Sequence, residues 1–278
     1  MLLISIAVIS LLSGALVCYG CDAFSTLTWL WLLPVSTLGF FLLLAALLFA
    51  FVLYLCKRVD QSVPQEDDSK FYRIVANLIV RSALPFLRIR VKHSGTEKVP
   101  TDGRFLLVCN HCNDSDPIIL LYCLHKSQLA FISKRENSTM FVIGPMMHKI
   151  LCQLINREND REALKTILRC IQILNEDKAS IAVFPEGGIL SEDGKLHHFR
   201  PGVFKIAQKA NVPIVVCTIQ NTNKVFRNFL HLKPTPIPLH ILDVIPAEGL
   251  KGVTTVDISD RVRKLMAEDL GPDLVAEE

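Results

Sequence analysis

The first 56 residues of this 278-residue chain lack every basic side chain. All 30 lysines and arginines follow them, and Asp22 is the single acidic residue in the segment. A long segment with almost no charge is typical of a polypeptide that enters a bilayer. The rest of the chain is only mildly basic, which gives no support to nucleic acid as a partner. Such a composition suits a domain that rests on an anionic membrane surface.

The sequence also lacks internal repeats, low-complexity segments, a glycine-rich nucleotide loop and a regular cysteine pattern. Because no glycine-rich stretch follows a predicted strand, a dinucleotide-binding fold has no support. The nine cysteines are odd in number and irregularly spaced, and several lie within apolar runs. We therefore expect free thiols in a reducing cytosol rather than a disulfide framework.

Two long apolar runs fill residues 1–58, and the second contains Pro34, where a helix could kink. Lys57 and Arg58 follow the second run at once, so the positive-inside rule places the remaining chain in the cytoplasm. We predict a membrane-embedded helical hairpin and an integral protein of the cell membrane. A cleaved signal peptide is the alternative for the first run.

A polar linker over residues 59–70 separates this hairpin from a predicted domain over residues 71–278. The domain begins with an apolar pattern of helical spacing, with Arg73 and Arg81 expected on the polar side. Such a helix either faces the core or lies among lipid headgroups. From about residue 86, strands alternate with helices. This order predicts an α/β fold, with a mostly parallel mixed sheet flanked by helices.

The segment CNHCNDSDP, residues 109–117, follows a predicted strand and suggests three kinds of chemistry. Cys109 and Cys112 have the spacing of half a zinc site, but no second closely spaced pair completes it. A redox pair would open a helix, whereas this helix is expected to begin at Pro117. His111 can act as a base if the turn-forming residues let Asp116 hold one imidazole nitrogen. An N-cap role would explain Asp116 by itself.

Four blocks in a fixed order carry a resemblance to a known family. The first is His111 with Asp116 five residues on, and the second is SKRENSTMFVIGPMM together with LINRE. VFPEGG and then FRPGVFKIAQKANVPIVV follow them. Over about residues 85–245 these blocks resemble the glycerolipid acyltransferase superfamily, and most nearly its bacterial 1-acyl-sn-glycerol-3-phosphate acyltransferases.

The resemblance implies an enzyme of phospholipid biosynthesis that needs no metal and no bound cofactor. A fatty acyl chain would pass from acyl-CoA or acyl-ACP to the free hydroxyl of 1-acyl-glycerol-3-phosphate, giving phosphatidic acid. His111 would be the general base, since the hydroxyl is too weakly acidic to ionise near neutrality, and Asp116 would orient it. Covalent catalysis by Cys109 or Cys112 is the alternative. The matching positions expected to bind substrate are Lys134, Arg157, Phe184, Pro185, Glu186 and Gly187.

One departure from the family pattern concerns the acceptor. The family commonly continues Phe-Pro-Glu-Gly with Thr-Arg, and that arginine is expected to meet the phosphate. Here Gly188 and Ile189 stand in those places. The lost charge can be supplied by Lys195 or Arg200, and we include Arg200 among the substrate-binding residues. The alternatives are another lysolipid acceptor, or a non-catalytic membrane protein that binds lipid.

Overall fold

The computed structural model describes residues 2–191 and 193–276. The chain divides into two compact units, and the boundary along the sequence falls between Asp60 and Gln61. The first unit holds two apolar helices, α1 (Leu2–Gly20) and α2 (Trp29–Lys57). Both are long and apolar enough to cross a membrane, judged by length and composition. An added Cβ at Gly14 would lie 2.5 Å from the Thr37 hydroxyl oxygen, so this glycine lets the two helices approach closely.

The second unit alternates strands with helices, as predicted. Its strands are β1 (Ile89–Ser94), β2 (Leu106–Cys109), β3 (Leu129–Lys134), β4 (Gln153–Ile155), β5 (Ser180–Val183), β6 (Ile214–Ile219) and β7 (Thr235–Ile245). Its helices are α3 (Lys70–Phe86), α4 (Asp116–Cys123), α5 (Ile143–Lys149), α6 (Asp160–Asn175), α7 (Lys205–Ala210), α8 (Val225–Leu230) and α9 (Thr255–Leu270). Helices α5 and α8 and the three-residue strand β4 were not predicted from the sequence, because such short elements leave no periodicity to detect.

The strands form one sheet in the order β1-β7-β6-β2-β5-β3-β4. Every neighbouring pair is parallel except β6 and β7, which are antiparallel. The central strands are buried on both faces, and their alternate residues enter two hydrophobic clusters: Leu106 and Val108 enter one, and Leu107 and Cys109 enter the other. The predicted fold class, a mostly parallel mixed sheet flanked by helices, is confirmed.

Side chains at the helix starts explain where several helices begin. Asn159 accepts hydrogen bonds from the Arg161 and Glu162 amides at the start of α6. Thr254 accepts one from the Asp257 amide at the start of α9. Each bond satisfies an amide that has no partner within its own helix.

Helix α3 shows where the helical pattern was misread. Arg81 is exposed, as expected, but Arg73 is only 7% exposed, so its placement on a polar face was wrong. The Arg73 guanidinium forms two 2.7 Å bonds with the Asp68 carboxylate and one of 2.9 Å with the Leu129 carbonyl. These partners offset the loss of water around a buried cation. The helix packs Val80 and Leu84 against the core but leaves Phe71, Ile74 and Leu78 exposed, so the core-facing interpretation accounts for only part of its apolar residues.

We expect Arg73→Ala to lower the free energy of unfolding by about 3–5 kcal/mol, because it leaves the Asp68 carboxylate buried and unpaired. Arg81→Ala, on the exposed side of the same helix, should change it by less than about 0.5 kcal/mol. Denaturant unfolding of the detergent-solubilised protein measures both. Equal effects of the two substitutions would contradict the buried ion pair.

Candidate active site

Two parallel strands deliver polar residues to the same edge of the sheet. Strands β2 and β5 are paired with Val108 opposite Val183, so the residues that follow them emerge side by side. Asn110 and His111 follow β2, while Phe184, Pro185 and Glu186 follow β5. The carboxyl edge of such a sheet is where α/β proteins bind their ligands.

Asn110 fixes the loop after β2 to the neighbouring strand β6. Its buried side chain accepts a 2.8 Å hydrogen bond from the Ile219 amide and donates one of 2.9 Å to the Ile219 carbonyl. The amide thus extends the sheet pairing by one residue with side-chain atoms. The sequence pattern gives no signal for this role of Asn110.

Asp116 and His111 meet because the chain turns between them. The Asp116 amide bonds to the Asn113 carbonyl at 3.0 Å, and the Ser115 amide bonds to the Asn113 side chain at 3.1 Å. This turn brings His111 Nδ1 to 2.8 Å from Asp116 Oδ2. The predicted turn between the two residues is therefore present.

The Asp116 carboxylate faces back into the loop rather than capping the helix. Ser115 occupies the N-cap position of α4, and Asp116 is its first residue. Besides the imidazole, Asp116 Oδ2 accepts bonds from the Cys112 and Asn113 amides, at 2.7 and 2.9 Å. The side chain is fully buried, so these donors compensate for the lost hydration of Oδ2, whereas Oδ1 has no hydrogen-bond partner among the described residues. The N-cap explanation of Asp116 was wrong.

Phe184 packs on the face of the His111 imidazole. The ring centroids are 4.0 Å apart and the planes are tilted by 16°. With Asp116 on Nδ1 and Phe184 on one face, the orientation of the imidazole is fixed. Its Nε2 has no hydrogen-bond partner among the described residues, and His111 lines a cavity.

Glu186 joins the loop of His111 to a second loop. One carboxylate oxygen accepts a 2.8 Å bond from the His111 amide, and the other accepts one of 3.1 Å from the His197 amide. Glu186 is 2% exposed, and this burial raises the pKa of its carboxyl to about 7, while the two amides act in the opposite direction. His197, to which sequence reasoning gave no role, takes part through its backbone and bonds to Ser191 by its ring at 2.8 Å.

Arg157 and Arg200 reach the site across a pair of glycines. Gly187 has a φ of +82°, and an added Cβ there would lie 2.6 Å from Arg200 Nε. A Cβ on Gly188 would lie 2.9 Å from Arg157 Nη1. The Arg200 amide also donates a 2.8 Å bond to the Pro185 carbonyl. The two glycines therefore make the space that the guanidiniums occupy.

The two arginines repel one another electrostatically. Burial lowers the pKa of the Arg157 guanidinium, the positive charge of Arg200 lowers it further, and Glu136 acts against both. Within the described part of the chain, Lys134, Arg157 and Arg200 form no ion pair with a carboxylate. Two converging cations that form no ion pair favour the binding of an anion.

A cavity of about 440 Å³ connects these groups. Its polar lining includes His111, Lys134, Arg157 and Arg200, and Phe184 and Gly187 also line it. Asp114, Ser133, Asn137 and Asp160 line it as well. The rest of the wall is mostly apolar and comes largely from α3, α4, β3 and α5, with Ile79, Val80, Leu121, Phe131, Ile143 and Met146 among its residues. Asp116, Pro185 and Glu186 lie behind the lining, and Lys195 does not line the cavity either. The arrangement combines an oriented base, a cationic end and an apolar space.

Cys109 ends strand β2 and Cys112 lies in the loop after it, and both are packing residues rather than reactive thiols. Both are buried, and burial raises the pKa of each thiol well above its ordinary value. Across residues 2–191 and 193–276, no group of three His, Cys, Asp or Glu side chains is arranged to hold a metal ion. This geometry gives no support to the zinc interpretation of the Cys-x-x-Cys pair.

Comparisons with known proteins agree with the four blocks. A family model described as Acyltransferase matches residues 90–220. A chloroplast 1-acyl-sn-glycerol-3-phosphate acyltransferase of Arabidopsis thaliana is 34% identical over 56% of this chain and 43% of its own length. One of Chlamydomonas reinhardtii is 30% identical over 70% of this chain and 56% of its own length. The chain thus spans about half the length of these two relatives.

A bacterial relative and a solved structure extend the likeness. The 1-acyl-sn-glycerol-3-phosphate acyltransferase of Borreliella burgdorferi is 24% identical over 71% of this chain and 78% of its own length. The crystal structure of the acyltransferase PlsC of Thermotoga maritima shares the fold, with a TM-score of 0.61 and 22% identity over 80% of this chain and 86% of that one. The resemblance to the glycerolipid acyltransferase superfamily, including its bacterial members, is confirmed.

The raised pKa of Glu186 predicts a pH-dependent stability. A carboxyl that titrates near 4.5 when unfolded and near 7 when folded stabilises the fold below pH 4.5, and this contribution is lost as the pH rises through 7. We expect wild type to lose about 3 kcal/mol more than Glu186→Gln between pH 4.5 and 8. Denaturant unfolding across this range measures the difference. Parallel curves for the two proteins would show that the carboxyl is not perturbed.

Proposed function

We propose that this protein is an acyltransferase that moves a fatty acyl chain from a thioester donor to the free hydroxyl of 1-acyl-glycerol-3-phosphate, giving phosphatidic acid. The observation that carries the proposal is the His111–Asp116 pair at the wall of a cavity that also holds Arg157 and Arg200. The named relatives, each called a 1-acyl-sn-glycerol-3-phosphate acyltransferase, support it. The donor is acyl-CoA or acyl-ACP.

In the proposed mechanism, His111 Nε2 is the general base. It takes the proton of the acceptor hydroxyl as the oxygen attacks the thioester carbonyl, and the C–S bond then breaks as the thiol leaves with that proton. Asp116 on Nδ1 holds the required tautomer and stabilises the imidazolium. Phe184 restricts rotation of the ring. Glu186 contacts no substrate in this mechanism and instead positions His111 through its amide.

The cavity offers a place for each part of the two substrates. Lys134, Arg157 and Arg200 supply the positive charge that a phosphate requires, and Arg200 replaces the family's arginine at the position of Ile189. The apolar wall suits an acyl chain. No step needs a metal ion or a bound cofactor.

The proposed location is the cell membrane. Helices α1 and α2 would embed the chain in the bilayer, and the basic pair Lys57 and Arg58 after α2 favours a cytoplasmic position for the following unit. This arrangement would place the site on the side where acyl thioesters are made and where thiols stay reduced.

We expect His111→Ala to lower kcat by about 10²- to 10⁴-fold with the fold intact, because the hydroxyl loses its base. Thiol release from acyl-CoA, measured with 1-acyl-glycerol-3-phosphate present, reports the turnover. Cys112→Ala is the matched control one residue away and should keep its activity. Loss of turnover in Cys112→Ala alone would favour a covalent route, and unchanged turnover in His111→Ala would remove the base assignment.

We expect Arg200→Ala to raise the KM for 1-acyl-glycerol-3-phosphate by roughly 10- to 100-fold, since a charge-assisted hydrogen bond contributes about 1.5–3 kcal/mol. The KM for acyl-CoA should stay unchanged. Lys195→Ala, in the same loop but outside the cavity, is the control and should behave like wild type. If wild type prefers a neutral lysolipid and Arg200→Ala has no effect, the acceptor is another lysolipid. If wild type binds lipid without turnover, the protein is a lipid-binding protein.

A further inference from the structure

A surface at the active-site end of the sheet has no assigned role. Strand β6 runs parallel to β2, with Cys217 opposite Cys109, so both end where His111 emerges. Strand β7 is antiparallel to β6, with Leu239 opposite Ile219, so β7 starts beyond that same end. Strand β1 starts there too, because Ile89 lies opposite Thr235. Helix α8 leads into β7 and therefore lies at this end.

The surface carries large apolar side chains that are exposed. Phe86 at the end of α3, Phe226 and Leu230 on α8, and Leu232 just after it are each 63–71% exposed. Phe86 and Phe229 have ring centroids 5.6 Å apart, and Arg88 donates a hydrogen bond to the Leu232 carbonyl. These contacts make the two segments one continuous surface, which we name the α8 patch. Isolated exposed apolar residues are common, but a contiguous group marks an interaction site.

The charged residues of the α8 patch are all basic. Residues 86–93 and 221–236 contain six basic residues and no acidic residue: Arg88, Arg90, Lys92, Lys224, Arg227 and Lys233. Protection of the β1 edge against strand pairing explains Arg90 and Lys92. It does not explain the exposed phenylalanine and leucine side chains among the cations.

We propose that the α8 patch docks on an anionic lipid bilayer, with its apolar side chains among the acyl chains and its cations at the headgroups. Apolar side chains that project between lysines and arginines are the composition of a surface that lies in a membrane interface. A cluster without any acid matches the negative potential of an anionic leaflet. The contact is separate from α1 and α2 and does not rest on the proposed reaction.

Tryptophan fluorescence tests the depth of the patch in the full chain. The two native tryptophans, Trp29 and Trp31, are replaced by phenylalanine, and Phe226→Trp then reports from the patch. Val256→Trp is the control, since Val256 is also exposed but lies at the start of α9, after the far end of β7. Each protein is reconstituted in nanodiscs with bromine-labelled phosphatidylcholine, with or without about a third phosphatidylglycerol.

We expect bromine to quench the tryptophan at position 226 several-fold more than the one at position 256, and more strongly with phosphatidylglycerol. Arg227→Glu with Lys233→Glu should remove the dependence on phosphatidylglycerol, whereas Lys209→Glu with Lys251→Glu, also exposed, should not. Equal quenching at the two positions overturns the proposal. Quenching that is insensitive to phosphatidylglycerol overturns the anionic preference. Unquenched fluorescence at position 226 that shifts with protein concentration assigns the patch to a second copy of the chain.

Discussion

The candidate site depends on one buried carboxylate. Glu186 accepts the amides of His111 and His197 with its two oxygens, and so joins two loops that follow different strands. The first loop carries the imidazole, and the second runs on to Arg200. Glu186 follows β5 after Phe184 and Pro185 and lies in the same loop as His197, so its carboxylate connects the loop after β2 to the loop after β5. A displacement of this carboxylate would therefore disturb the His111 base and the loop that leads to Arg200 together.

Burying this carboxylate has an energetic cost that the fold only partly offsets. Two amide donors favour the ionised form, but burial outweighs them and raises the pKa of the carboxyl. Asp116, buried nearby, receives three donors on a single oxygen. Glu186 is therefore held by backbone amides, and Asp116 by two backbone amides and the His111 imidazole, all on Oδ2, while neither carboxylate pairs with a lysine or arginine among the described residues. This leaves Arg157 and Arg200 unpaired among the described residues and available to a ligand.

Much of the fold and part of the site were predictable from local sequence. The strands around Leu107 and Val215 are continuous apolar runs, and His111 and Asp116 belong to a motif with turn-forming residues between them. Hydrogen bonds donated by backbone amides were not predictable, because such a donor is not tied to any residue type in the sequence. The hydrogen bond from the His111 amide to Glu186 and the one from the Ile219 amide to Asn110 are of this kind.

Arg73 illustrates a different limit of sequence reasoning. Helical periodicity places a cation on a solvent face by default, since a lone buried cation is unfavourable. Its partner, Asp68, lies in the polar segment expected to be a linker, and the Leu129 carbonyl is 56 residues away along the chain. Only the tertiary structure brings these groups together.

The structure offers an explanation for the departure from the family pattern at Gly188 and Ile189, which the sequence alone did not. Any side chain at position 188 would collide with the Arg157 guanidinium, and one at position 187 would collide with Arg200. Gly187 belongs to the Phe-Pro-Glu-Gly block itself, whereas Gly188 stands where the family commonly has threonine, and its missing side chain leaves room for the Arg157 guanidinium. The positive charge of the site depends on tertiary contacts here, so a motif search that follows only the local Phe-Pro-Glu-Gly block would underestimate it.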